Sequence, residues 1–202
     1  MAADRNSQMA WEGKAAAHFF RGERDEFHAA AQKAVSINSN NVGTTGNIAW
    51  YYMNFGDYDR ALPLVDHAIS LSPFPPFWYY HPYWQKYYTD GKYELALEYA
   101  KKGKQEGLFP CYVMLTATYA ELGDKAQAAS NIQKLLEAKP DIAKTFLPWA
   151  NSLHWPDELI NKLVASLGKA GLSIAENTTA AERRSHEGQR PWFFAGSRRT
   201  TA

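Results

Sequence analysis

TTGNIAWYYMNFGDYDRALPLVDHAISLSP, from Thr44 to Pro73, is the stretch that decides the fold. One amphipathic run ends at Gly56, and a second begins immediately after it at Asp57. Glycine stands where a helix must stop in the left-handed conformation, which a residue with a Cβ adopts only at a cost. Ala49 and Ala61 are small enough to let two helices approach, and Tyr52 and Tyr58 can fill the seam between them. Pro73 prevents the second helix from continuing. The stretch therefore reads as a helical hairpin of about 30 residues.

The same turn occurs four times, as FFRGERDEF, MNFGDYDRA, YTDGKYELA and AELGDKAQA. Its glycines, Gly22, Gly56, Gly91 and Gly123, are 34, 35 and 32 residues apart, a period of one antiparallel helix pair. Around Gly123 the pattern returns as Tyr112, Thr116, Tyr119, Ala128 and Pro140. The copy at Gly91 keeps Tyr87, Tyr93, Ala96 and Ala100 but has Trp84 at a small-residue position, which predicts a splayed pair. The first copy keeps Trp11, Gly22 and Ala34, has Phe27 for the close-packing Ala and lacks the final Pro, as suits a terminal repeat covered on one side only. Ten helices are predicted, at roughly 8–20, 24–37, 42–54, 58–71, 76–89, 92–106, 110–122, 125–138, 141–150 and 156–170.

The order small, aromatic, Gly, aromatic, Ala, Ala, Pro at Ala49, Tyr52, Gly56, Tyr58, Ala61, Ala68 and Pro73 resembles a tetratricopeptide repeat. The resemblance implies an all-α helical-hairpin solenoid of about four repeats plus a C-terminal capping helix pair, spanning residues 8–172. It also implies a protein or peptide partner on the concave face. The family's inner-face positions, carried onto this chain, fall on Trp50, Met53 and Asn54 in one repeat and on Trp78, His81, Gln85 and Tyr88 in the next. At the family's carboxylate-clamp position stand Glu12, Gly46, His81 and Val113, so a receptor for a chaperone's terminal carboxylate is not expected.

A narrower resemblance covers about residues 10–172, through GDYDRALPLVDHAISLSP, the aromatic WYYHPYW and the closing LVASLGKAGL. It is to the carboxyl-terminal tetratricopeptide region of bacterial adenylate/guanylate cyclase-like and winged-helix regulator-like proteins. That implies a bacterial sensory or scaffolding module, and as an alternative function a regulatory fragment associated with a nucleotide cyclase or transcription regulator. No output domain of either kind is expected within these 202 residues.

Catalytic and cofactor chemistry find no constellation. Asp57, Asp59, Asp90 and Asp124 sit at the repeat turns, where Asp caps helices. No phosphate-binding GxxxxGKS loop occurs, and GTTG at 43–46 reads as a helix start. The six histidines, His18, His28, His67, His81, His154 and His186, have neither HExxH spacing nor Cys partners, so no metal is expected. The lone Cys111 opens an apolar helix and reads as a buried thiol.

Charge and hydropathy bound the rest. The chain has 22 basic and 21 acidic residues; without the five Arg and three Glu from Ser173 onward these become 17 and 18, a near-neutral body without a nucleic-acid footprint. No run approaches the roughly 18 to 20 apolar residues of a membrane helix, and MAADRNSQMAWEG has no secretory core, so the expected location is cytoplasmic. Residues 173–202, rich in Ser, Thr, Gly and Arg, read as a disordered tail with a single PWFF patch at 191–194. The densest aromatic segment, SPFPPFWYYHPYWQKYY, places rings on every side of one helix, so some must face outward.

Overall fold

The computed structural model describes residues 7–175. Within them the chain is all-helical, with ten α-helices. Four hairpins come first: α1 (Gln8–Phe20) with α2 (Arg24–Ile37), α3 (Val42–Asn54) with α4 (Tyr58–Ser70), α5 (His81–Thr89) with α6 (Tyr93–Lys102), and α7 (Phe109–Glu121) with α8 (Lys125–Ala138). Two further helices follow, α9 (Ile142–Ser152) and α10 (Asp157–Lys169). Together they form the tetratricopeptide-type solenoid.

Each hairpin turns at its predicted glycine. Gly56 has a φ of 75°, with its N–H donated to the Met53 carbonyl and the next N–H, of Asp57, donated to Tyr52. That pairing satisfies carbonyls a helix end would otherwise leave bare. The Asp57 carboxylate then accepts from the Arg60 N–H and caps α4, and Asp124 does the same for α8 through Gln127. At the seams Ala49, Ala61 and Ala68 are fully buried. Closer still is Gly46, where a Cβ would lie 2.4 Å from the Tyr79 ring.

Two boundaries depart from the predicted ones, both for local reasons. The fifth helix starts at His81 rather than near 76, because the prolines at 75 and 76 keep the chain extended into a 3-10 turn, Phe77–Tyr80. The sixth stops at Lys102 rather than near 106. There Gly103 fits under His81, whose Nε2 donates to the Gly103 carbonyl at 2.9 Å, and a Cβ would meet that imidazole at 2.8 Å. Trp84 is buried, with its indole N–H donated to Thr118 of α7 at 3.0 Å.

The closing helices do not add a fifth hairpin to the stack. α10 lies against α5 and α7, first helices of the third and fourth pairs. The Tyr88 hydroxyl reaches Ser166 at 2.6 Å, Lys162 donates to the Thr89 carbonyl, and Lys169 pairs with Glu121 at 2.7 Å. Leu159, Leu163 and Leu167 are fully buried in the same core as Trp84, Tyr88 and Phe146. Between α9 and α10 the chain crosses the front of the molecule: His154 packs edge-on to Phe19 at 5.4 Å, and Pro156 abuts Gly56. His154 is the one non-glycine described residue with positive φ, 56°. After α10, Leu172 and Ile174 join the core and the Ala175 N–H donates to Ala143 at 2.8 Å. The tail expected from residue 173 lies, from 176 on, outside the described residues, as does its PWFF patch.

Candidate functional site

The inner helices α3 and α5 repeat one spacing. Trp50, Met53 and Asn54 stand at i, i+3 and i+4 on α3, and His81, Trp84 and Gln85 stand at the same spacing on α5. This spacing places three side chains on one helix face, and the two faces meet at a shared cavity of about 30 Å³. Pro110 and Met114 of α7 complete its wall, and Trp149, Leu153 and Trp155 of the closing segment roof it. Every lining residue is buried except Trp149 and Trp155, which are half-buried and therefore form the rim. Those two indoles meet edge to face at 4.9 Å.

The lining is largely aromatic and aliphatic, with no charged side chain. Asn54 is fully buried and well paired: its Nδ2 donates to the Trp50 carbonyl at 2.7 Å, and its Oδ1 accepts from Trp155 Nε1 at 2.5 Å. His81 is held neutral. Burial lowers its pKa to about 4, although the bond to the Gly103 carbonyl acts the other way. Because Nε2 faces a carbonyl it carries the ring proton, which leaves Nδ1 an acceptor.

Gln85 is the exception. It is fully buried, and neither its side-chain oxygen nor its nitrogen has a hydrogen-bond partner in the protein. Buried amide atoms are ordinarily paired, because leaving one unpaired costs about 1 to 3 kcal/mol each. The cavity has room for a water molecule, but neither amide atom has surface open to it.

Of the seven inner-face residues read from the sequence, five come together here: Trp50, Met53, Asn54, His81 and Gln85. Trp78 and Tyr88 lie elsewhere. Trp78 is half-buried edge-on to Tyr79 at 4.4 Å, and Tyr88 is sealed under α10 by its bond to Ser166, with its hydroxyl pKa raised chiefly by burial. The face is thus largely covered by the chain itself rather than lying open. Sequence reasoning missed Trp84, Pro110 and Met114 on the inner helices and Trp149, Leu153 and Trp155 on the closing segment. Applying the 50/53/54 spacing to α5 would have found Trp84; nothing local marks the last three, which arrive from about a hundred positions beyond α3.

Other chemistry-bearing groups lead nowhere. Cys111 is buried, and burial pushes its thiol up to about 11, the reverse of an activated nucleophile. Among the described residues no three of His, Cys, Asp and Glu gather as a metal site, and no helix is long and apolar enough to cross a membrane.

Known proteins agree on the architecture. The tetratricopeptide repeat family model matches residues 46–75 and 109–142, the second and fourth hairpins. Among solved structures the fold resembles PilW, described as a widely conserved type IV pilus biogenesis factor, at a TM-score of 0.60 and 18% identity over 90% of this chain and 77% of that one. It resembles MamA, at 0.57 and 17% over 85% and 98%, and YrrB, a TPR protein described as having an unusual peptide-binding site, at 0.55 and 16% over 83% and 86%. No curated protein matches the chain by sequence. At these identities the likeness is one of fold.

Proposed function

We propose that this protein is a non-catalytic protein-interaction module that takes a peptide or protein segment at its inner face, entering beside the rim of Trp149 and Trp155. The observation that carries this reading is the cavity itself. Inner-face residues of α3, α5 and α7 converge on one small, uncharged, aromatic-lined space. Large aromatic side chains around a desolvated centre are the usual makeup of an interaction hot spot. YrrB, of the same fold, is described as having a peptide-binding site, which supports the reading by analogy alone. The narrower resemblance carried by the sequence makes a nucleotide cyclase or a transcription regulator the partner class to try first.

Displayed random peptides panned on the full chain test this. Enriched peptides should bind Trp155→Ala about 30-fold more weakly, since an aromatic hot-spot residue contributes about 2 kcal/mol. A failure to enrich any sequence, or equal binding to the variant, would move recognition off this face.

A further inference from the structure

We infer that the loop joining the second and third hairpins is a self-association patch: Phe74 of one copy packs on Phe74 and the adjacent proline rings of a second copy across a two-fold axis. The inference is independent of the inner-face reading above.

The patch is both exposed and stiff. Phe74 is the most exposed large apolar side chain among the described residues, at 92%, and Leu71 beside it is 45% exposed. Pro73 and Pro76 are exposed as well. A ring left in water to this degree on a well-ordered surface marks a contact site when apolar neighbours extend it into a patch. Both ends of the loop are pinned. The N–H groups of Leu71 and Ser72 donate to the His67 and Ile69 carbonyls at the end of α4. On the other side the Tyr79 N–H donates to the Pro76 carbonyl, and the Tyr79 hydroxyl donates to that of Val42. Between these pins Pro73, Pro75 and Pro76 have φ fixed by their rings, and Pro76 is extended, at φ −56° and ψ 143°. Ser72, Phe74 and Pro75, each followed by a proline, are confined to extended backbone too. A side chain presented on so stiff a loop loses little entropy when it is covered.

Charge points to a second copy as what covers it. A two-fold axis sets a patch against itself, so any charge within it would face its own twin. Residues 68–80 carry no charged side chain, and the patch meets its copy without repulsion. The backbone lets that contact be dry. Of residues 73–76 only Phe74 has an N–H to lose to burial, and the Pro76 carbonyl is already paired. Area sets the strength. One Phe ring supplies about 200 Å², so with Leu71 and the prolines, doubled across the axis, the contact stays below the roughly 1,200 Å² at which standard interfaces begin. The association is therefore weak, with a Kd on the order of 0.1 mM.

Analytical ultracentrifugation of the full chain tests this. The weight-average mass should rise from the monomer's 22.8 kDa toward twice that value as the concentration goes from about 10 μM to about 1 mM. Phe74→Glu and Phe74→Lys should each stay monomeric, because like charges then meet at the axis. Both should melt like the wild type, since the side chain they replace is exposed. Mixed in equal amounts at low salt, the two variants should associate at least about threefold more tightly than either alone, as opposite charges then face each other.

A wild type that remains at 22.8 kDa up to about 1 mM would overturn the assignment. So would a glutamate variant that associates as the wild type does. A mixture no tighter than its components would mean that residue 74 meets some other surface of the second copy, and the two-fold contact would fall. If the wild type is monomeric and panned peptides bind it but not Phe74→Glu, the loop takes a foreign segment instead of its own copy.

Discussion

The four hairpins and the closing helices bury apolar residues equally well, yet they are held by different kinds of contact. Each hairpin closes on neighbours in sequence, through a left-handed glycine and an alanine seam. The closing segment instead meets Thr89 and Tyr88 across 73 and 78 residues, and Asn54 across 101. Local contacts form at small entropic cost, whereas contacts of such separation need their targets in place first. The hairpins thus create an inner face, and the closing helices use most of it as their own docking surface. What remains is the small cavity under Trp149 and Trp155.

The largest expected effect attacks the hairpins. Ala61 is fully buried in the seam of the second pair, so Ala61→Glu places a charge where there is neither water nor a partner. The loss should be roughly 3 to 5 kcal/mol, read as a collapse of the thermal melt followed by circular dichroism. An unchanged melting temperature would mean that Ala61 is not in the seam.

Leu163→Ala attacks the other side. Leu163 is fully buried among residues of α5, α7 and α9, so its truncation should cost about 3 kcal/mol while unfolding remains a single transition. Two separated transitions would show that the closing helices melt on their own, and the contrast between the two regions would become one of separate folding units.

Acid should reach both regions through one buried and two half-buried histidines. The folded pKa of His81 is about 4, below the unfolded value near 6.5, and burial lowers those of His28 and His154 in the same direction. The unfolded chain therefore binds more protons in this window. Stability is complete above about pH 6.5 and falls as the pH drops toward 4, by about 2 to 3 kcal/mol for His81. Urea midpoints measured between pH 7.5 and 5 should show this slope, and His81→Gln should reduce it without abolishing it. A slope unchanged by the substitution would remove His81 from the acid response.

How much was legible in the sequence follows the same division. Gly22, Gly56, Gly91 and Gly123 fix the hairpins because the left-handed turn is a local demand that a single residue type announces. Five cavity residues were legible as well, since helix period and repeat position suffice to assign them to the inner face. The roof was not. Leu153 and Trp155 reach the site only because α9 ends beside α3, and the sequence of α9 does not say where its far end lands. The covering of Tyr88 has the same origin: its hydroxyl partner, Ser166, is an ordinary small polar residue on a helix that reads as a simple cap.

The smallest expected effect separates the two regions at the resolution of one methyl group. Gly56 and Gly123 have the same φ of 75° in equivalent turns, so alanine at either should lose about 1 to 2 kcal/mol to the left-handed conformation alone. Their surroundings differ: a Cβ at Gly123 meets open space, whereas one at Gly56 lies 2.7 Å from Cγ of Pro156, the residue that leads into α10. A proline ring has little freedom to yield, so Gly56→Ala should lose about 1 kcal/mol more than Gly123→Ala. Combining each with Pro156→Ala completes the comparison by double-mutant cycle. The coupling should appear with Gly56→Ala and be absent with Gly123→Ala. Equal losses at the two glycines, with no coupling at either, would mean that the closing segment does not press on the second hairpin and that the inner face is less tightly roofed than the contacts of Trp155 and Pro156 require.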